Sequence, residues 1–382
     1  MNDTVKGFKD ITGEEALKRE AIKKLLIEKF RIYGFAPCET PIIEFEEFVK
    51  GENSRDEAIS DIFKLKDKGE RNLALRYEFT FQLNRIAQNK KLPFRRYQIG
   101  EVFRDEPISS NRFRQFTQCD VDVIGSTIKD DAEVLKLFSE ILDELNVKYE
   151  IEVNNRKLLN EILELEGIKQ KEQVIRELDK IDKLPEQEIK NNLKRYNAER
   201  ILDILKKPLD FFKKYGPYKE IEELFTYCKD FNLEVKFSPS LARGLSYYNG
   251  NVFEIKLRGV KESIAGGGSY LINKIQGTGI SFGLERLTSL AKIDVERIKC
   301  LIISLGQNKE SNKLCQELRK ERISCFVMDK LSKALEYANS EKIPYVLFLG
   351  NDEIKKKKIK LRDMKTGKED LLTSKEILKK LN

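Results

Sequence analysis

From Ile298 to the end, the chain alternates short apolar runs with helix-periodic stretches, and this alternation limits the possible folds more than any other feature. Residues 300–305, 324–328 and 344–349 read as strands, with helices at 308–320 and 332–340 between them. Residues 359–361 and 370–372 read as a hairpin around Thr366-Gly367. Thr373-Ser374-Lys375-Glu376 has the pattern of a capping box that opens a last helix. Strands separated by helices of this length pack as a small α/β unit. A separate α/β domain is therefore expected over residues 297–382.

The preceding part, residues 1–296, reads differently. Residues 14–34 carry an apolar stripe of Leu17, Ile22, Leu25, Leu26, Phe30 and Ile32, and Gly34 is placed to cap that helix. Strand-like segments follow at 61–65, 73–76, 97–103 and 120–124, then a helix at 131–145 and a strand at 149–153. Residues 156–230 are charged, poor in glycine and helix-periodic, with Leu158, Leu159, Ile162, Leu163 and Leu165 at apolar positions, and read as a helical insertion. Glycine-punctuated strand sequence resumes at Val235 and runs through 252–257, Gly266-Gly267-Gly268 and 277–283 into a helix at 284–291.

Charge separates the same two parts. Residues 297–382 hold 21 Lys and Arg against 12 Asp and Glu, a net of +9, whereas the first 296 residues hold 51 against 52. A basic module on a near-neutral body suits a polyanion partner, although a solvated lysine-rich surface gives the same count. The chain contains no histidine, so Ser-His-Asp triads, Cys-His pairs and imidazole bases are excluded, and chemistry must rest on carboxylates, Arg, Lys, Tyr, backbone amides or a bound metal. The six cysteines form no CxxC pair, which leaves no expectation of a zinc site or disulfide framework and fits a reducing, cytoplasmic setting. No apolar run approaches the ~20 residues of a membrane span, and residues 1–10 lack a signal-peptide core.

Three stretches carry chemistry. In the first, two strand-like segments flank a polar loop, Asp105 to Asn111; Arg104 ends one strand, and Arg112 and Arg114 begin the next. Guanidinium forks there can grip phosphate oxygens. Phe116, Gln118, Asp120 and Asp122 follow on one strand face, because strand side chains alternate. The same row also suits a solvent-exposed antiparallel sheet with cross-strand ion pairs. In the second stretch, Arg243 precedes the paired Tyr247 and Tyr248, of which one should be core. In the third, a strand at 279–283 runs into a helix whose first turn holds Arg286, near amides that favour anions.

Together these stretches resemble the class II aminoacyl-tRNA synthetases, with Pro41 in the motif 1 position and the Arg104 and Arg286 segments in those of motifs 2 and 3. RGLSYYNGNVFEI (243–255) resembles the histidine-specific peptide of histidyl-tRNA synthetases, and LALRYEFT (73–80), QCDVDVIG (118–125) and AGGGSY (265–270) resemble further segments of that family. PYVLFLGNDEI and KLRDMKTGKED resemble its anticodon-binding domain. Ser246 stands where the family usually has aspartate, and Thr117 where it often has His or Tyr.

The resemblance implies an α+β class II synthetase catalytic domain, an antiparallel sheet flanked by helices with a helical insertion, followed by a C-terminal α/β anticodon-binding domain. It implies ATP with substrate-bound Mg2+, L-histidine and tRNA(His) as partners, and a homodimer built through motif 1. By the family pattern Arg104 and Arg243 are catalytic. Glu78, Phe79, Thr80, Arg104, Gln118, Asp122, Arg243, Tyr247 and Tyr248 would bind histidine, with Asp122 and Tyr248 addressing the two ring nitrogens. Arg104, Glu106, Arg112, Phe116 and Arg286 would bind ATP, Phe116 stacking on the adenine.

Overall fold

The longest uninterrupted alternation in the chain decides which way its main sheet faces. Along the strand Gln115–Ile124, Cys119, Val121 and Val123 are wholly buried on one side, and Gln118, Asp120 and Asp122 leave on the other. The computed structural model describes residues 3–51, 57–108, 112–244, 246–259 and 263–381. It places this strand in an eight-stranded sheet ordered Ala36–Pro37, Phe94–Phe103, Gln115–Ile124, Ile275–Gly283, Ser263–Ile272, Tyr248–Leu257, Tyr149–Asn155, Lys236–Phe237. Pairing is antiparallel throughout the middle and parallel only at the two-residue edge strands.

The apolar face packs on helices Gly13–Ile32, Ile128–Glu144, Tyr218–Asp230 and Leu284–Leu290, which supply Phe30, Phe138, Leu224 and Leu287 to one core. Phe138 stacks on Phe282 of the sheet with 4.0 Å between ring centres. The first helix stops where expected: Tyr33 caps it and Gly34 follows in the left-handed region at φ 77°. A small antiparallel sheet of Ile43–Phe45, Asn72–Leu75 and Lys64–Lys66 stands apart from the main sheet.

Several boundaries differ from the sequence expectations. The strand expected at 97–103 begins at Phe94, and the one expected at 252–257 begins at Tyr248. The strand expected at 120–124 begins at Gln115, so Arg114 precedes it. In each case polar or aromatic residues at the start interrupt the apolar run that marks the rest of the strand. Helices occupy most of 156–216, and a core of their own gathers Leu158, Ile162, Val174, Leu193 and Phe212. The helix Tyr218–Asp230, however, gives Ile221 to that core and Leu224 and Cys228 to the main one. It closes the sheet as much as it ends the insertion.

The chain divides into two compact units, Met1–Asp294 and Val295–Asn382. The second holds a five-stranded sheet ordered Cys325–Met328, Cys300–Ser304, Tyr345–Leu349, Ile359–Asp363, Glu369–Leu372, parallel in its first three strands and antiparallel in its last two. Cys300 and Ile302 face Leu314, Leu318 and Ile377, while Leu301 and Ile303 face Ala334 and Ala338. Burial on both faces explains why these strands read as continuous apolar runs. The capping box is formed: Glu376 accepts from the Thr373 amide at 2.7 Å. A helix at Asn351–Lys355, absent from the sequence reading, follows Gly350.

Candidate active site

The polar face of the main sheet gathers Gln118, Asp120 and Asp122 from one strand, Arg96 and Gln98 from its neighbour, and Ser281 and Tyr270 from the other side. Gln118 Nε2 donates to Ser281 Oγ at 3.3 Å, and that hydroxyl donates to Asp120. The Tyr270 hydroxyl donates to Asp122 Oδ1. Arg96 Nη2 lies 2.8 Å from Asp122 Oδ2.

Segment 76–82 forms a second wall. Glu78 is buried and accepts from the Tyr247 hydroxyl at 3.2 Å. Burial pushes its carboxyl up to about 7, against the pull of Arg104 and Tyr247. Asp120 is likewise pushed up to about 7, by burial and then by the Asp122 charge. Asp122 is raised by burial and held back by Arg96. Perturbed carboxyls grouped in one place mark a functional site more often than a surface ion-pair sheet.

Arg243 lies farther across the same face, with Nη1 3.2 Å from Glu254 Oε1. Gly266 makes the room for it: a Cβ there would stand 2.5 Å from Arg243 Nη1. Gly279 does the same for Asp122, since a Cβ would overlap its carboxylate. Tyr248 is the buried member of the tyrosine pair, and its ring centre lies 4.7 Å from that of Tyr247. Among the described residues, four buried polar atoms of this face have no hydrogen-bond partner: Arg96 Nε, Gln118 Oε1, Asp122 Oδ2 and Arg243 Nε. Buried donors and acceptors left open are costly unless a ligand meets them.

A cavity of about 250 Å³ is lined by residues that include Arg19, Phe116, Thr117, Glu285 and Arg286, with none of Glu78, Gln118, Asp122 or Arg243 in its wall. Arg104 covers the Phe116 ring at 5.1 Å from its centre, and its Nε donates to the Tyr77 carbonyl at 3.1 Å. Arg112 stands at the rim, more than half exposed, with Nη1 3.6 Å from Glu106 Oε2. Arg286 donates to the Ser263 carbonyl from the third residue of its helix. Residues 109–111 of the polar loop, and Leu245 of the 243–255 peptide, lie outside the described residues.

The structure thus brings together Glu78, Arg104, Gln118, Asp122, Arg243, Tyr247 and Tyr248, with Thr80 beside the Tyr247 hydroxyl. Phe79 lies next to Glu78 in the same wall. Its ring has no exposure and lies under the guanidinium of Arg76, 4.8 Å from the ring centre. Sequence reading missed Arg96, Tyr270, Ser281 and the Arg19–Glu285 pair. Strand alternation placed Ser281 across from Asp120 only once the pairing was known.

A family model described as Histidyl-tRNA synthetase matches residues 7–287, and one described as Anticodon binding domain matches 299–382. The chain is 36% identical over 408 residues to Histidine--tRNA ligase 1 of Bacillus cereus (strain ATCC 10987 / NRS 248), covering 96% of this chain and 94% of that protein. Among solved structures, a histidyl-tRNA synthetase from Nostoc sp. PCC 7120 superposes with a TM-score of 0.85 at 24% identity, covering 100% of this chain and 99% of that one. A protein titled ATP phosphoribosyltransferase regulatory subunit/histidyl-tRNA synthetase, from Bacillus halodurans C, gives 0.76 at 21% identity, over 91% and 98%. At these identities the solved structures bear on the fold alone.

Proposed function

The chain belongs to the histidyl-tRNA synthetase family, and we propose that it ligates histidine to tRNA on the polar face of its main sheet. Its reaction is that of a histidine–tRNA ligase. ATP and L-histidine give histidyl-adenylate and pyrophosphate, and histidine then passes to the 3′ end of tRNA(His) with release of AMP. The convergence of Glu78, Gln118, Asp122, Arg243 and Tyr248 on one face, with their buried polar atoms left open, supports this placement.

In this reading the adenine stacks on Phe116, on the cavity that also holds Arg286. Arg104 meets the α-phosphate, and Arg112 and Arg286 the terminal phosphates, with Glu106 at the rim beside Arg112. Magnesium arrives as the counter-ion of the triphosphate, as part of the substrate. Glu78 binds the α-ammonium of histidine, with Thr80 and Gln118 nearby. One carboxylate oxygen of histidine attacks the α-phosphorus in line as pyrophosphate leaves. Arg243 supplies fixed positive charge to the oxygens where negative charge accumulates. No strong base is required, which suits a chain without histidine.

Asp122 and Tyr248 address the two ring nitrogens. Amino acids without them would leave buried polar groups unpaired and are rejected. Residues 297–382, with their excess of lysine and arginine, serve as the anticodon-binding domain, where splayed bases are read directly. Pairing of two copies through the Pro41 segment belongs to the same reading, and Ile42, Ile43 and Phe45 are exposed there. A cytoplasmic setting agrees with free cysteines throughout the described residues, and no helix among these is long and apolar enough to cross a membrane.

ATP–pyrophosphate exchange with each of the twenty amino acids tests the proposal. Exchange stimulated by histidine alone is expected. Its absence with every amino acid, from folded protein, would overturn the ligase reading in favour of a regulatory or sensing relative of the synthetases.

A further inference from the structure

Arg96 has no exposure at all, and it heads the fully buried side chains by size. A buried guanidinium persists only where acceptors surround it. Its Nη1 donates to Gln98 Oε1 at 3.0 Å, its Nη2 reaches the Phe79 carbonyl at 3.4 Å, and the same nitrogen lies 2.8 Å from Asp122 Oδ2. Gln98 is held in turn, donating to Thr40 Oγ1 at 2.8 Å. Arg96 and Asp122 are direct cross-strand partners, so the backbone register itself brings them together.

The other ionisable groups facing this pair are Asp120 on the same strand as Asp122, Glu78 on the adjoining wall, Tyr270 on the strand Ser263–Ile272, and Cys38. Burial favours the neutral form of each of the three carboxyls, and their mutual repulsion adds to this. Tyr270 already gives its hydroxyl hydrogen to Asp122 Oδ1. Oδ2 lies against the arginine but forms no hydrogen bond, so an acceptor site stays open on it.

We propose that Arg96 is the positioning residue for recognition of the substrate ring: it holds Asp122 as an acceptor-only carboxylate, with Oδ2 open to an imidazole N–H. This rests on the placement of the ring at Asp122 proposed above. A neutral imidazole has one donor nitrogen and one acceptor nitrogen. An ionised Asp122 and the Tyr248 hydroxyl form the matching pair. A protonated Asp122 would add its own O–H to that of Tyr248, so that two donors would face a ring that can accept from only one.

Arg96→Met and Arg96→Lys test this in ATP–pyrophosphate exchange, with KM for histidine and for ATP measured from about pH 6 to about pH 9. In Arg96→Met the histidine KM is expected to rise about ten- to a hundredfold, while the ATP KM stays within about twofold. The ratio of variant to wild-type histidine KM should shrink as pH rises and Asp122 regains its charge; titration of the free substrate cancels in that ratio. Arg96→Lys should recover part of the loss. If Arg96→Met does not fold, Gln98→Leu keeps the guanidinium while removing the acceptor on Nη1 and the bond from Gln98 to Thr40, and should give a smaller rise, with the same pH trend. Equal rises in both KM values, or a ratio independent of pH, would overturn the proposal and leave Arg96 a packing residue. A wild-type protein without histidine-dependent exchange would instead overturn the ligase reading, and this inference with it.

Discussion

Arg19 and Glu285, 266 residues apart, form a 2.8 Å ion pair where the first helix meets the main sheet. Both Glu285 oxygens also accept from the Thr117 amide, at 3.1 Å each, and Arg19 Nη2 donates to the Thr117 hydroxyl at 2.8 Å. Thr117 lies between Phe116 and Gln118, so the pair pins the backbone from which the residues proposed for the nucleotide and for the amino acid both project. Neither partner is more than a fifth exposed. Arg19→Ala strands Glu285 beside a buried amide, and a loss of about 3 kcal/mol is expected. Thermal unfolding measures it, and bound ATP should restore part of the lost stability.

In the proposed reaction Arg243 stabilises charge that develops only during adenylate formation. Arg243→Lys keeps one charge but loses the fork, and a fall of about a hundredfold in the exchange rate is expected with little change in histidine KM. A change confined to KM would place Arg243 in ground-state binding.

Gly266→Ala reaches the same arginine without touching it. The new Cβ would stand 2.5 Å from Arg243 Nη1, closer than any real contact, so the guanidinium must move. Because a small displacement of an aligned group is costly, a roughly tenfold or greater loss of exchange is expected from protein with near-normal circular dichroism. An active Gly266→Ala variant would show that Arg243 acts from a different position.

Glu78 supplies a pH dependence. Its carboxyl is raised from 4.5 to about 7 by burial, so protonation near neutrality removes the charge proposed to bind the α-ammonium. Histidine KM should therefore rise as pH falls through about 7, and Glu78→Gln should abolish that segment of the profile along with most of the affinity. The stability effect has the opposite sense. Between pH 4.5 and about 7 the folded state holds a proton that the unfolded state has released, so this group's contribution to stability declines as pH rises through that window. Glu78→Gln should thus lose function without losing melting temperature above pH 7.

Lys355, Lys356, Lys357 and Lys358 form an exposed run in the second unit. Replacing all four by alanine should raise the KM for tRNA and flatten the dependence of aminoacylation on salt, with exchange in the absence of tRNA unchanged. Unaltered tRNA kinetics would assign the excess charge to a solvated surface.

Much of the site was legible because strands alternate. Gln118, Asp120 and Asp122 had to share a face once Cys119, Val121 and Val123 were recognised as core. Tyr248 rather than Tyr247 is the buried tyrosine, a choice that alternation posed but left open. Arg96 was illegible for a physical reason. Adjacent Arg95 and Arg96 point oppositely, one toward Asp130 and Glu133 at the surface and one inward to Asp122, and a bare pair of arginines does not say which is which. Tyr270 and Glu285 were hidden similarly, since their partners lie 148 and 168 residues away and only the sheet pairing joins them. The helix Tyr218–Asp230 misled because one apolar stripe serves two cores at once, and periodicity reports only that a stripe exists.

Gly266 and Gly279 leave bare backbone where the sheet passes beneath Arg243 and Asp122. Every replacement of a glycine adds at least one carbon, so at these two positions variation can only fill space and never enlarge it. Evolutionary change in what the pocket accepts must then come from the walls, through residues such as Glu78, Gln118 and Tyr248, while the floor tolerates no gradual drift.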